Sequence, residues 1–179
     1  MRKDWLYCDA ADSLRRRAVR TVLDRLHRCL VLWLAPVLCF TAEEAWLARF
    51  PSDDGSVHLQ LFPDDPKDWG NPFVTMKWKV IRDRRSEITA AIEGARAAKL
   101  IGSSLQAALT LPPEMLKLMP ADEWAELAIV SAVVPGDTLA VHRAPGDKCA
   151  RCWRVLPEVD AARLCRRCTA VVASADIAA

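Results

Sequence analysis

Lys148-Cys-Ala-Arg-Cys-Trp153 and Leu164-Cys-Arg-Arg-Cys168 decide how this chain is read, with twelve residues separating Cys152 from Cys165. A CxxC turn brings two sulfurs to one side and points backbone amides at them. Two such turns on a short span close a tetrahedron of thiolates about 2.3 Å from a zinc ion. Four protein ligands leave no position for water, so Cys149, Cys152, Cys165 and Cys168 predict one structural Zn2+ site without catalytic chemistry of its own. The surrounding segment has few apolar residues, so the metal would supply much of its folding energy. The alternative is two separate redox pairs, but those open a helix in a βαβ unit, and neither pair is expected in that setting. His142 lies close enough in sequence to replace a ligand, although four cysteines already suffice.

The remaining cysteines, Cys8, Cys29 and Cys39, have no ligand spacing and read as small buried apolar residues. Seven cysteines with four in CxxC pairs suit a reducing, cytoplasmic setting better than a disulfide scaffold. No apolar run of about 18 residues is present, so no membrane span is expected, and no secretory leader is read at Met1. The net charge of +2 is unevenly distributed. Residues 1–35 carry eight Lys/Arg against four Asp/Glu, residues 36–140 ten against fifteen, and residues 141–170 seven against three. Two basic ends flank an acidic middle, a pattern that fits a polyanion touching the ends and also fits ordinary solvated faces. Trp153 follows a ligand directly, among Arg151, Arg154, Arg163, Arg166 and Arg167. Such a ring either stacks on an unpaired base or shields the metal. Arg166 and Arg167 lie within the second turn, where they can offset thiolate charge.

The pattern elsewhere predicts a mainly α chain with a small α+β part. Leu14, Ala18, Val22, Leu26, Leu30 and Trp33 recur at helical spacing over 12–34, with arginines on the other faces, and Pro36 ends or kinks that helix. Thr41 and Glu44 read as a capping box opening a helix that stops at Pro51. The Pro-, Asp- and Gly-rich segment 51–73 reads as a linker with one extended piece over 57–62. A helix over 74–99 follows, buried through Trp78, Ile81, Ile88, Ile92 and Ala95, wet at Arg82, Arg84, Arg85 and Glu87, and ended by Gly102. Strands are expected over 104–111, at the end of 124–134 and over 138–143, with a short helix over 112–118. The domains expected are therefore a helical part over 1–50, a linker over 51–73, an α+β unit over 74–145, a zinc module over 146–170 and a tail over 171–179. No Gly-rich phosphate loop and no hydrolase or zinc-protease motif is present.

With those segments in order, the chain resembles the C-terminal region of bacterial isoleucyl-tRNA synthetases. The residues that carry the resemblance are Lys3-Asp-Trp-Leu-Tyr-Cys-Asp9, Arg15-Arg-Arg-Ala18, Ala35-Pro36, Phe40-Thr-Ala-Glu-Glu-Ala-Trp46, Ile101-Gly-Ser-Ser-Leu-Gln-Ala107 and the two cysteine turns. The match runs in register over nearly the whole chain. It implies the last helices of an anticodon-binding bundle, an α+β junction and a C-terminal zinc module of a class I ligase joining isoleucine to its tRNA with ATP and Mg2+. The class I signatures and the editing insertion are missing, so the resemblance implies a chain that is inactive alone: a part of a larger enzyme or a stand-alone remnant. The expected partners are tRNA(Ile) and the missing catalytic and editing domains, and a monomer with no membrane partner is expected. In the family the Trp after the second cysteine looks RNA-facing, which implies tRNA contact by Trp153, with Arg151 and Arg154 beside it. Two other classes compete. DNA glycosylases of the formamidopyrimidine type end in a similar finger but need an N-terminal Pro-Glu, whereas this chain starts Met1-Arg-Lys-Asp4. A zinc-holding structural remnant with no RNA role is the other.

Overall fold

The computed structural model describes residues 3–64 and 69–176. They form two compact units, one spanning Ala11–Gly70 and the other joining the residues up to Ala10 to those from Asn71 onward.

In the first unit, helix α2 (Leu14–Leu34) is followed by α3 (Cys39–Arg49); α1 (Lys3–Cys8) belongs to the second unit. Pro36 falls in the turn between α2 and α3, where its missing amide costs nothing. The expected capping box at Thr41 is not the helix start. Helix α3 begins two residues earlier, with Leu38 as N-cap. The core consists of Leu32, Ala35, Ala42, Trp46 and Val57, with Val31, Leu47 and Phe50 packed against it. Residues 51–62 are therefore not a free linker. Glu43 accepts from the Val57 amide (2.7 Å) and the Ser56 hydroxyl (3.1 Å), while the Trp46 indole donates to the Gly55 carbonyl (2.9 Å). This pinning sets Val57–Leu59 as one 3-10 turn in place of an extended piece. The apolar stripe expected on α2 is helical but lies exposed: Leu14, Val22, Leu26, Leu30 and Trp33 are all about half exposed or more. The buried face of α2 is the neighbouring one, through Leu32.

In the second unit, helix α4 (Pro72–Ala97) starts on an Asn71 cap, whose side chain accepts from the Phe73 and Val74 amides, with Pro72 at the first helical position. Ile81, Ile88 and Ile92 are its buried stripe, as the spacing predicts. A left-handed Lys99 (φ 58°) follows its end, ahead of the expected Gly102. The capping-box turn over Ser103–Gln106 leads into β1 (Ala107–Leu111), then α5 (Pro113–Leu118), α6 (Ala121–Ala128), β2 (Ala132–Pro135) and β3 (Ala140–Arg143). The sheet order is β2-β1-β3, with β1 parallel to β2 and antiparallel to β3. The central strand β1 is buried almost throughout, because α4 packs its isoleucines on one side and Met115, Met119 and Trp124 close the core around it. The Trp124 indole donates to the Met115 carbonyl (2.9 Å), satisfying its one polar atom inside the core.

A two-stranded ladder, β4 (Asp147–Lys148) with β5 (Val155–Leu156), carries the first cysteine turn, and α7 (Arg166–Asp176) runs from within the second. Helix α7 continues past 170 into what the sequence suggested was a tail. No helix among the described residues is long and apolar enough to cross a membrane.

Candidate metal centre

The sulfurs of Cys149, Cys152, Cys165 and Cys168 all lie within 4.8 Å of one another, and all four residues are buried. A tetrahedral ion at 2.3 Å needs sulfurs about 3.8 Å apart, and Cys152 and Cys165 stand 3.8 Å apart. The donor set therefore fits a four-thiolate ion. The second pair does sit at a helix start, contrary to expectation, but in no βαβ unit, and its sulfurs converge on the first pair. His142 is elsewhere, bonded to the Thr110 hydroxyl across the sheet (3.0 Å). Cys8 is buried against the four-cysteine cluster, whereas Cys29 is half-buried and Cys39 exposed, so burial was a correct reading for Cys8 only.

Local backbone geometry builds each turn. Gly146 (φ 98°) enters the ladder where an added Cβ would lie 2.3 Å from the Leu156 carbonyl oxygen, so only glycine fits. The Cys149 amide donates to the Arg154 carbonyl and the Trp153 amide to the Cys149 carbonyl, both at 2.9 Å, which closes the first turn. In the second turn the Asp160 carboxylate accepts from the Leu164 amide and the Thr169 hydroxyl, both at 2.9 Å, and these bonds hold its carboxyl below the usual range. The Cys165 amide points at the Cys149 sulfur (3.4 Å).

The electrostatics favour a cation. Burial opposes ionisation of Cys149, but amide donors from Cys152, Cys165 and Arg151 outweigh it and bring the thiol down to about 6. Burial, with charge on the neighbouring sulfurs, pushes Cys152 and Cys168 up instead. Without a cation the cluster thus supports a ready thiolate at Cys149 while Cys152 and Cys168 resist charging. A divalent ion removes that conflict by balancing the charge they share.

The arginines point inward more than their spacing suggested. Arg151 donates to the Cys8 carbonyl (2.7 Å), the Tyr7 carbonyl (3.0 Å) and the Cys168 sulfur (3.7 Å). Arg154 donates to the Ser131 carbonyl. Arg167 grips Asp4 with both terminal nitrogens (2.5 and 2.8 Å) and reaches Asp9 (3.4 Å). The pairing outweighs burial and lowers the Asp4 carboxyl, while Arg167 is raised. Trp153 differs: it is 60% exposed, held at φ 67°, with the Lys148 ammonium 5.5 Å from its ring centre. Sequence reasoning missed Ser131, which is fully buried; its hydroxyl donates to the Leu105 carbonyl (2.5 Å) and accepts from the Val155 amide (2.7 Å), tying the sheet to β5. Nothing in its sequence context marks that role.

Fold and centre together define a helical and α+β protein finished by a four-cysteine metal module. The model of the anticodon-binding domain of tRNA ligases matches residues 1–111, and the chain belongs to that family. It is 51% identical to an isoleucine–tRNA ligase of Gluconobacter oxydans over 97% of this chain and 20% of that protein. It is 44% identical to one of Zymomonas mobilis (96% and 19%) and 43% identical to one of Agrobacterium fabrum (89% and 18%). The chain thus spans about a fifth of the length of these relatives.

Proposed function

We propose that this chain is the anticodon-side, tRNA-binding C-terminal part of an isoleucine–tRNA ligase, holding tRNA(Ile) while domains outside it join isoleucine to the tRNA with ATP and Mg2+. The observation that carries the reading is the likeness over nearly the whole chain to ligases of that name, together with a buried four-cysteine centre that presents one exposed Trp. In this reading the ion is one structural Zn2+, held by Cys149, Cys152, Cys165 and Cys168. Zinc organises the turn, and Trp153 stacks on an unpaired base, as an exposed ring beside cations does. Arg151 and Arg154, engaged with backbone carbonyls, contribute to RNA binding chiefly by holding that turn. The chain acts as a monomer in the cytoplasm and has no ligase activity alone.

The test is a gel-shift titration of the zinc-loaded chain with tRNA(Ile) and with an unrelated tRNA. Preference for tRNA(Ile), lost on chelation and weakened by salt, is the expected result. Equal binding of both tRNAs would overturn the assignment.

A further inference from the structure

Helix α1 has six residues, too few to be stable by itself, so contacts outside it must hold it. Most of those contacts converge on the cysteine turns. The carbonyls of Tyr7 and Cys8, at the end of α1, find no partner in so short a helix, and Arg151 donates to both (3.0 and 2.7 Å). The same guanidinium nitrogen that reaches Cys8 also donates to the Cys168 sulfur (3.7 Å). Near the start of α1, Asp4 accepts from both terminal nitrogens of Arg167, a residue set between Cys165 and Cys168. Buried Asp9 accepts from one of them (3.4 Å). Less than a third of either side chain of the Asp4–Arg167 pair is exposed, so solvent screens it weakly. Cys8 packs directly against the four cysteines. On the opposite side, the Trp5 indole donates to Glu126 of α6 (2.8 Å), an element of the core that needs no ion. Helix α1 thus joins an ion-independent core to both cysteine turns.

Four thiolates around one divalent cation leave two negative charges in excess. Arg151 and Arg167 are cations fixed beside them, and their acceptors on α1 keep both guanidiniums from swinging into water. We propose that Asp4 is a positioning residue for the metal centre: through Arg167, and with the Tyr7 and Cys8 carbonyls on Arg151, α1 is a strap that slows loss of the bound ion. The coupling is reciprocal, so whatever holds the strap also holds the ion. The strap rests on the four-cysteine centre and not on the tRNA-binding reading.

The experiment follows Zn2+ release from the loaded full chain to a chromophoric chelator, pyridylazoresorcinol, in excess. Asp4→Asn is expected to release the ion about tenfold faster, while Asp4→Glu, which keeps the carboxylate, recovers most of the retention. The double variant Asp4→Asn/Arg167→Gln should release no faster than Arg167→Gln, because the two residues act as one unit. Arg166→Gln is the charge control: Arg166 lies exposed in the same turn, and its loss should change the rate by no more than about twofold. Hydrogen-exchange protection of β1 should be the same in all variants, which separates loss of the strap from loss of the fold. Release from Asp4→Asn at the unaltered rate overturns the proposal, as does release from Arg166→Gln as fast as from Asp4→Asn. If the unaltered chain takes up no Zn2+, the strap falls together with the zinc site, whereas a failed preference for tRNA(Ile) in the gel shift leaves it standing.

Discussion

At Trp153, backbone and side chain serve different ends. A bulky residue in the left-handed region costs about 1–3 kcal/mol, and the bonds linking Cys149 with Trp153 and Arg154 hold it there. Trp153→Gly is therefore expected to stabilise the metal module by about 1 kcal/mol relative to Trp153→Ala. Both variants should lose RNA affinity worth about 1–3 kcal/mol if the ring stacks on a base. Thermal melts of the zinc-loaded variants, set beside RNA titrations, separate the two effects; equal RNA affinity in all three forms would remove the stacking role. Ser131 makes the complementary case. Ser131→Ala leaves the Val155 amide and Leu105 carbonyl short of a partner inside the protein, which costs about 1–3 kcal/mol. Denaturant melts should register that loss, whereas Ser131→Thr, which keeps the hydroxyl, should recover part of it. The convergence of the four cysteines was legible because it follows from the spacing of two CxxC turns. The inward turn of Arg151 and Arg154 was not legible, because their acceptors at Cys8, Tyr7 and Ser131 lie far away in the sequence.

Among the elements, α1 is the one the sequence misplaced. The sequence places it with the helical part over 1–50, yet Arg151 and Arg167 fasten it to the cysteine turns, and the Trp5 indole reaches the Glu126 carboxylate (2.8 Å). Asp4→Asn should weaken this attachment by about 1–2 kcal/mol, since the bidentate pair with Arg167 is partly buried. The pH dependence has a definite sign. The folded-state carboxyl of Asp4 lies below its ordinary 3.8, so its contribution is complete above that value and is lost as pH falls through the depressed one. The gap between the wild type and Asp4→Asn should hold constant from about pH 8 to about pH 5 and close below about pH 4. Melts across that range check this, and a gap that persisted in acid would contradict it. Helices α2 and α4 were legible within about two residues through their periodicity, but the Asn71 cap and Pro72 that start α4 lie in the segment expected to be linker. The capping box at Thr41 failed because the chain was already helical there. The segment over 57–62 failed because Glu43, distant in sequence, decides its conformation.

For the molecule as a whole, two parts of the second unit, the α4–sheet core and the cysteine module, rest on different sources of stability. The α4–sheet core holds twelve buried residues and needs no ion, whereas the cysteine module has almost no apolar interior beyond its ligands. Chelation at neutral pH should therefore unfold residues 146–170 and release residues 3–10 while the core around Ile88, Leu109 and Trp124 survives. Hydrogen exchange read by mass spectrometry is the measurement, and loss of protection in β1 along with the module would refute the division. Spacing in the sequence was enough to pick out the four cysteines that converge, the long helices and the mainly α class, because CxxC turns and helical periodicity are local properties of the chain. Burial was decided only by the tertiary structure. The stripe Leu14–Trp33 has the period of a core face and is exposed, while Leu32 beside it is buried, since periodicity places residues on a common face but does not say what covers it. The same physics settled the arginines: a guanidinium takes whichever acceptor the fold brings near, and for Arg151, Arg154 and Arg167 those acceptors belong to the protein itself.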